Sequence, residues 1–291
     1  MKHTFEVTVT LVLLFFLSQV MGLAITNQYI DHEKTAETGV TTWEKLPYEI
    51  ERPPVDESSS FIYIIIAILI GTGLLLLLVK YKKVMFWKTW FFLGVLITLI
   101  IALKPFIGQQ FAFLISLVLA LVKVFRPNIF VHNITEIFLY GGLAAIFVPI
   151  MNMYAAFMLL FFMSVYDIYA VWKSKHMVSL AKFQTNSKVF AGLSIPYNPP
   201  KEKIESKRKK VKKIETFKTA ILGGGDIALP LLFAGVAMKT FGFFASLIIS
   251  VFATIAITFL FIKSKKDKFY PAMPFLTAGC VLGYAVVMLF F

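Results

Sequence analysis

Nine runs of about twenty mainly apolar residues dominate this chain, at approximately 6–26, 61–79, 84–103, 105–122, 129–148, 150–172, 217–237, 241–262 and 270–290. A run of that length matches the hydrocarbon thickness of a bilayer when it is helical, and helices satisfy their own backbone polar groups where water is absent. With 58% hydrophobic and only 15% charged residues among 291, too little polar surface remains to clothe a soluble domain. The expected fold is therefore an all-α membrane protein of nine transmembrane helices, residues 1–291 forming a single membrane domain. The third run carries Lys88 near its start and the fifth His132 and Glu136, so those two runs are less purely apolar than the rest. The first follows Lys2 like a signal peptide, but it is longer than a usual signal h-region and no cleavage site follows, so it reads as a retained span.

Charge alternates between the connections. Residues 27–60 hold eight acids against Lys34, Lys45 and Arg52, whereas Lys80, Lys82 and Lys83, then Lys123 and Arg126, then Lys263, Lys265, Lys266 and Lys268 follow the second, fourth and eighth spans. The longest connection, 173–216, has twelve Lys/Arg against three Glu and includes KRKKVKK at 207–213. Basic loops stay inside, which makes 27–60 an outside loop and 173–216 a cytosolic hydrophilic loop that touches anionic lipid. In a cell membrane the N-terminus then lies inside and the C-terminus outside, with the first six spans in 1–172 and the last three in 217–291.

The formal charge of +13 is explained by these loops, and without interleaved aromatics the basic run gives no case for nucleic acid. Cys280 is the only cysteine, and His3, His32, His132 and His176 lack ligand spacing, so no metal or cofactor is expected.

Acids are scarce inside the spans, yet Asp167 stands in FFMSVYDIYAVW and Asp226 in LGGGDIALP. An ionised aspartate at mid-membrane costs about 2.5–3.5 kcal/mol on insertion scales, so each needs a partner, a wet cavity or a chemical task. Asp167 lies six residues before Lys173 and Asp226 eight after Lys218, about 9 and 12 Å at helical rise, so antiparallel spans bring both to one depth. Two adjacent carboxylates cannot easily both ionise, and such a pair holds one proton over a range of pH. One oxygen can then take a proton from water while the partner polarises a carbonyl, which is peptide hydrolysis by an aspartyl dyad. A proton- or ion-coupled transporter uses acids in the same place, and the two acids alone leave both readings open.

The flanks favour an enzyme. Gly223, Gly224 and Gly225 weaken a helix by about 1 kcal/mol each and clear side chains from beside Asp226, so that a substrate backbone can approach. Small residues also serve close helix packing. In FYPAMPFL, Pro271 and Pro274 delay the ninth helix, and extended backbone there can offer free amides and carbonyls to an extended peptide.

Tyr166-Asp167 in the sixth span, Gly223-x-Gly225-Asp226 in the seventh and Pro271-Ala272-Met273 opening the ninth resemble the motifs of the presenilin and signal peptide peptidase family of GxGD intramembrane aspartyl proteases, in a microbial, archaeal-type form. The resemblance spans the chain and implies a presenilin-like fold with Asp167 and Asp226 as catalytic pair. It also implies that Tyr166, the three glycines, Pro271, Ala272 and Met273 shape substrate binding. Two departures stand out: Met273 replaces the family's leucine, and Gly224 fills the x position where leucine is common. The expected partners are transmembrane-helix substrates and membrane lipid, in an orientation similar to that of presenilins.

Overall fold

The structure is a computed structural model that describes residues 4–81, 83–174, 183, 189–197, 218–264 and 270–291. The basic run 207–213, with Lys2, Lys82, His3, His176, Lys265, Lys266 and Lys268, lies outside the described residues. In chain order come α1 (Phe5–Asn27), short α2 (His32–Thr38), α3 (Ser60–Lys80), α4 (Val84–Ile107), α5 (Gln109–Phe125), α6 (Ile129–Phe147) and α7 (Met153–Ile168). They are followed by β1 (Gly192–Tyr197), β2 (Lys218–Gly223), α8 (Gly224–Lys263) and α9 (Met273–Phe290).

Among the described residues seven helices are long and apolar enough to cross a membrane, α8 being counted once. Forty residues long, α8 breaks at Gly242, whose φ of 79° and ψ of 178° are not helical, so it supplies two apolar helices. The 17-residue α5 is shorter but equally apolar in character, and nine apolar helical segments result. Local chemistry explains the ends. Asn152 caps α7 by accepting the Ala155 N–H at 2.9 Å, after a tight turn through Pro149, so this helix starts at Met153 rather than 150. The seventh expected span, 217–237, starts as a strand: 218–223 is β2, and helix begins only at Gly224. Part of the expected hydrophilic connection, 192–197, is β1.

The first half of α8 is the centre of the molecule. It is buried almost continuously from Leu229 to Met238, and α1, α6, α7 and α9 pack around it. Phe157, Phe233 and Tyr284 from α7, α8 and α9 meet edge to face at centroid separations of 4.9, 5.3 and 5.9 Å, which fixes these three helices together. By contrast α3 buries only Ser60, Phe61, Ile64 and Leu75 and lies at the periphery against α7. At one end the 28–59 segment is tied down. Tyr29 donates to the Ile101 carbonyl at 2.7 Å, and Lys239 donates to Met151 O at 2.9 Å while pairing with Glu57 at 3.2 Å.

Lipid tails are as apolar as leucine, so helix association relies on close contact rather than on escape from water. At Gly142 of α6 the contact is backbone on backbone: a Cβ there would stand 2.0 Å from the Thr98 carbonyl oxygen of α4. Gly142→Val is expected to destabilise the protein by about 1–3 kcal/mol, whereas Gly71→Val, where a Cβ meets nothing within 4 Å, is expected to be neutral. Thermal denaturation of both variants in detergent checks the contrast, and equal midpoints would contradict it.

Candidate active site

The sequence from 218 to 226 makes a strand, a turn and a helix start in nine residues. In β2, Thr219 and Ile221 are exposed while Ala220 and Leu222 are buried, the period-two alternation of a strand with one covered face. It pairs antiparallel with β1 in the register Gly192↔Gly223 to Tyr197↔Lys218. Gly223 ends the strand in extended conformation and serves as N-cap of α8, and the Gly224 N–H donates to the Ala191 carbonyl at 3.1 Å. Asp226 therefore sits in the first turn of α8, where unsatisfied backbone N–H groups favour negative charge. The Gly223 amide is directed at its carboxylate. Inside α8, Pro230 lacks the N–H that would close a bond to the Asp226 carbonyl. The next carbonyl, that of Ile227, accepts from the buried Gln19 of α1 at 2.9 Å, which anchors this irregular first turn.

Asp167 comes from the penultimate residue of α7, before the helix widens into a π turn at Tyr169–Ser174. Its Oδ2 accepts the Met273 N–H at 3.0 Å, and the Ala272 amide is directed at the same carboxylate. One turn earlier Ser164 and Thr277 share a hydrogen bond at 2.7 Å, so α7 and α9 are locked together directly beside Asp167. Asp226 and Asp167 lie close enough to feel each other's charge, and both are half-buried. Tyr166 is half-buried and lines an apolar cavity of about 330 Å³ between α3 and α7, with Ile65, Ile68, Leu69, Phe162 and Tyr169.

The three motifs thus converge from α7, the β2–α8 junction and the start of α9, but several local expectations change. Of the three glycines only Gly224 and Gly225 are helical, and they sit in the first turn of α8 rather than in its interior. Gly223 closes the strand, Gly224 packs where a Cβ would stand 2.7 Å from the Tyr140 hydroxyl, and only Gly225 faces open space. Helical rise does not apply to 218–223, so the depth estimate for Asp226 had the wrong premise, although the two acids still lie within each other's field. Nor is the Met273 amide free for a peptide, since Asp167 takes it; Pro274 occupies the first turn of α9, where a missing N–H costs nothing. Pro271, Ala272 and Met273 are buried.

Lys123 is not an exposed loop charge. It ends α5 in a buried ion pair with Glu136 at 2.7 Å, next to Tyr140 and His132. The acid inside the fifth apolar run was the sequence signal for this cluster. No group of three or more His, Cys, Asp or Glu able to hold a metal occurs among the described residues.

A sequence model of the family described as signal-peptide peptidase, presenilin aspartyl protease matches residues 12–291. Two solved structures of a presenilin family intramembrane aspartate protease, in different crystal forms, share the fold. One superposes with a TM-score of 0.63 at 16% identity, covering 97% of each chain. The other gives 0.61 at 16% identity over 98% of this chain and 99% of its own. No curated protein sequence matches this chain.

At Gly192, φ is 133° and a Cβ would stand 2.1 Å from the Leu222 carbonyl oxygen, so any side chain pushes β1 off β2. Gly192→Ala is expected to cost at least about 1–2 kcal/mol and to remove hydrogen-exchange protection from 192–197 and 218–223. Unchanged protection in that variant would contradict the strand pairing.

Proposed function

The chain belongs to the signal-peptide peptidase and presenilin aspartyl protease family and is an intramembrane aspartyl protease; on that premise we propose that Asp167 and Asp226 are its catalytic pair. The observation that carries this reading is that the two half-buried carboxylates lie within each other's field. One carboxylate takes a proton from a water molecule as its oxygen attacks the scissile carbonyl carbon. The protonated partner donates to the carbonyl oxygen. The tetrahedral diol then collapses, the C–N bond breaks, and the amine leaves with a proton returned by the pair. The hydrogen bond from Met273 fixes the orientation of Asp167, and the helix start around Asp226 fixes the other carboxylate.

Substrate access is read from the surroundings. Asn133 and Glu136 hold the outward-facing groups of Gly192 and Ser194 in β1, so the register turns the N–H and C=O groups of Thr219 and Ile221 in β2 away from β1. That row of groups, a few residues from Asp226, suits an extended peptide adding a strand. Gly225 leaves open space beside the carboxylate. The apolar cavity between α3 and α7 is lined by Tyr166 and suits lateral access of a locally unwound transmembrane segment. Substrate binding is therefore assigned to Gly225 and the β2 edge, with Tyr166 at the lateral approach. The buried Pro271-Ala272-Met273 segment acts by holding Asp167.

Asp167→Asn and Asp226→Asn are each expected to lower cleavage of a single-span peptide by at least about a thousand-fold with the fold retained; fragment masses read the result, and full activity in either variant would remove the pair. The charge bias of the loops supports an inside N-terminus, a cytosolic 173–216 and an outside C-terminus. A cysteine introduced at Ser206 is expected to react with an impermeant maleimide only after the membrane is opened. Labelling in intact cells would reverse the topology.

A further inference from the structure

The second buried polar cluster, one helix away from the aspartates, has no part in the chemistry above. The side chains of Lys123 and Glu136 are each 1% exposed, and Lys123 Nζ donates to Glu136 Oε1 at 2.7 Å and to Thr135 Oγ1 at 2.8 Å. The other carboxylate oxygen, Oε2, accepts from the Tyr140 hydroxyl and from the Gly192 N–H, the latter at 3.0 Å. His132 Nε2 lies 2.7 Å from Gly192 O. That carbonyl can only accept, so Nε2 carries the proton and Nδ1 faces Lys123 at 3.4 Å as acceptor. Both backbone groups of Gly192 are thus held by α6. One step along, Asn133 does the same for Ser194, with bonds of 2.9 and 3.0 Å.

This grip bears directly on Asp226. Gly192 is the register partner of Gly223, Ala191 O holds the Gly224 N–H at 3.1 Å, and the Tyr140 ring packs under Gly224. A displacement of β1 therefore moves the residues two and three before Asp226. A buried ion pair is weak evidence for stability, since apolar residues of like volume often serve as well. Here the pair leaves a carboxylate oxygen, neutralised by Lys123, with a specific backbone donor to hold.

We infer that Glu136, held by Lys123 and Tyr140, is a positioning residue that docks β1 onto α6 and so sets the place of Asp226 opposite Asp167. The inference rests on the reading of Asp226 as catalytic. Misplacing a reacting group by about 1 Å costs on the order of a hundred-fold in rate, and a loosened β2 edge weakens substrate binding in addition.

The test compares Glu136→Ala with the double variant Lys123→Met/Glu136→Gln in the full chain. The double variant removes both charges together and keeps an acceptor for the Gly192 N–H. For Glu136→Ala, kcat on a single-span peptide is expected to fall about a hundred-fold, with KM raised as well because the β2 edge loosens. Hydrogen-exchange protection should be lost in 189–197 and 218–225 and kept elsewhere. The double variant should keep that protection and a kcat within about ten-fold of the parent. Parent-like kcat and protection in Glu136→Ala overturn the inference, as does loss of protection spread over the whole molecule in the double variant. Should Glu136→Ala not fold, the double variant decides by the same two readouts. If the parent itself cleaves nothing, the proposed function fails, while exchange at the two strands still reports whether Glu136 docks them.

Discussion

A charge or an unpaired backbone group inside hydrocarbon has no water to fall back on, which favours meeting it with another part of the chain. Two such clusters organise the structure. In one, Asp167 is held by the amide of Met273 and lies within the electrostatic reach of Asp226; in the other, Lys123 and Glu136 neutralise each other and spend their remaining bonds on Thr135, Tyr140 and Gly192. The β1–β2 hairpin joins them. It is an unusual element among membrane helices, and it persists because α6 side chains satisfy the β1 edge that would otherwise lie unpaired.

The rest of the packing serves that arrangement. The buried first half of α8 carries Asp226 at its start and is gripped by α1, α6, α7 and α9, so the Asp226 end of this helix is set by a rigid body. Gln19 of α1 reaches the Ile227 carbonyl just beyond Asp226, and Ser164 and Thr277 link α7 to α9 just before Asp167. Peripheral α3, with few buried residues, is the wall with least holding it, and the cavity that reaches Tyr166 opens there.

Much of this was legible in the sequence because membrane chemistry is strict. Apolar length alone places nine helical segments, and two aspartates in apolar runs mark the candidate site. What the runs concealed was the change of period at 218–223. TAILG is short and apolar enough to extend a helix, and only its long-range pairing with GLSIPY makes it a strand. Lys123 was misplaced among loop charges because its partner Glu136 is thirteen residues away on another helix. The three glycines read as one feature but do three things, and the difference lies in neighbours such as Tyr140 that no local pattern reveals. The transporter reading, which two acids alone leave open, falls with membership of a protease family that spans residues 12–291.

The central claim is that water held between Asp167 and Asp226 attacks an amide directly. Single-turnover cleavage of a single-span peptide by the purified chain in heavy-oxygen water tests it. One heavy oxygen is expected in the new carboxyl terminus of every N-terminal fragment from the first turnover onward. Unlabelled fragments would show that an enzyme oxygen attacks first, and an intact peptide would show that the two acids do not hydrolyse it.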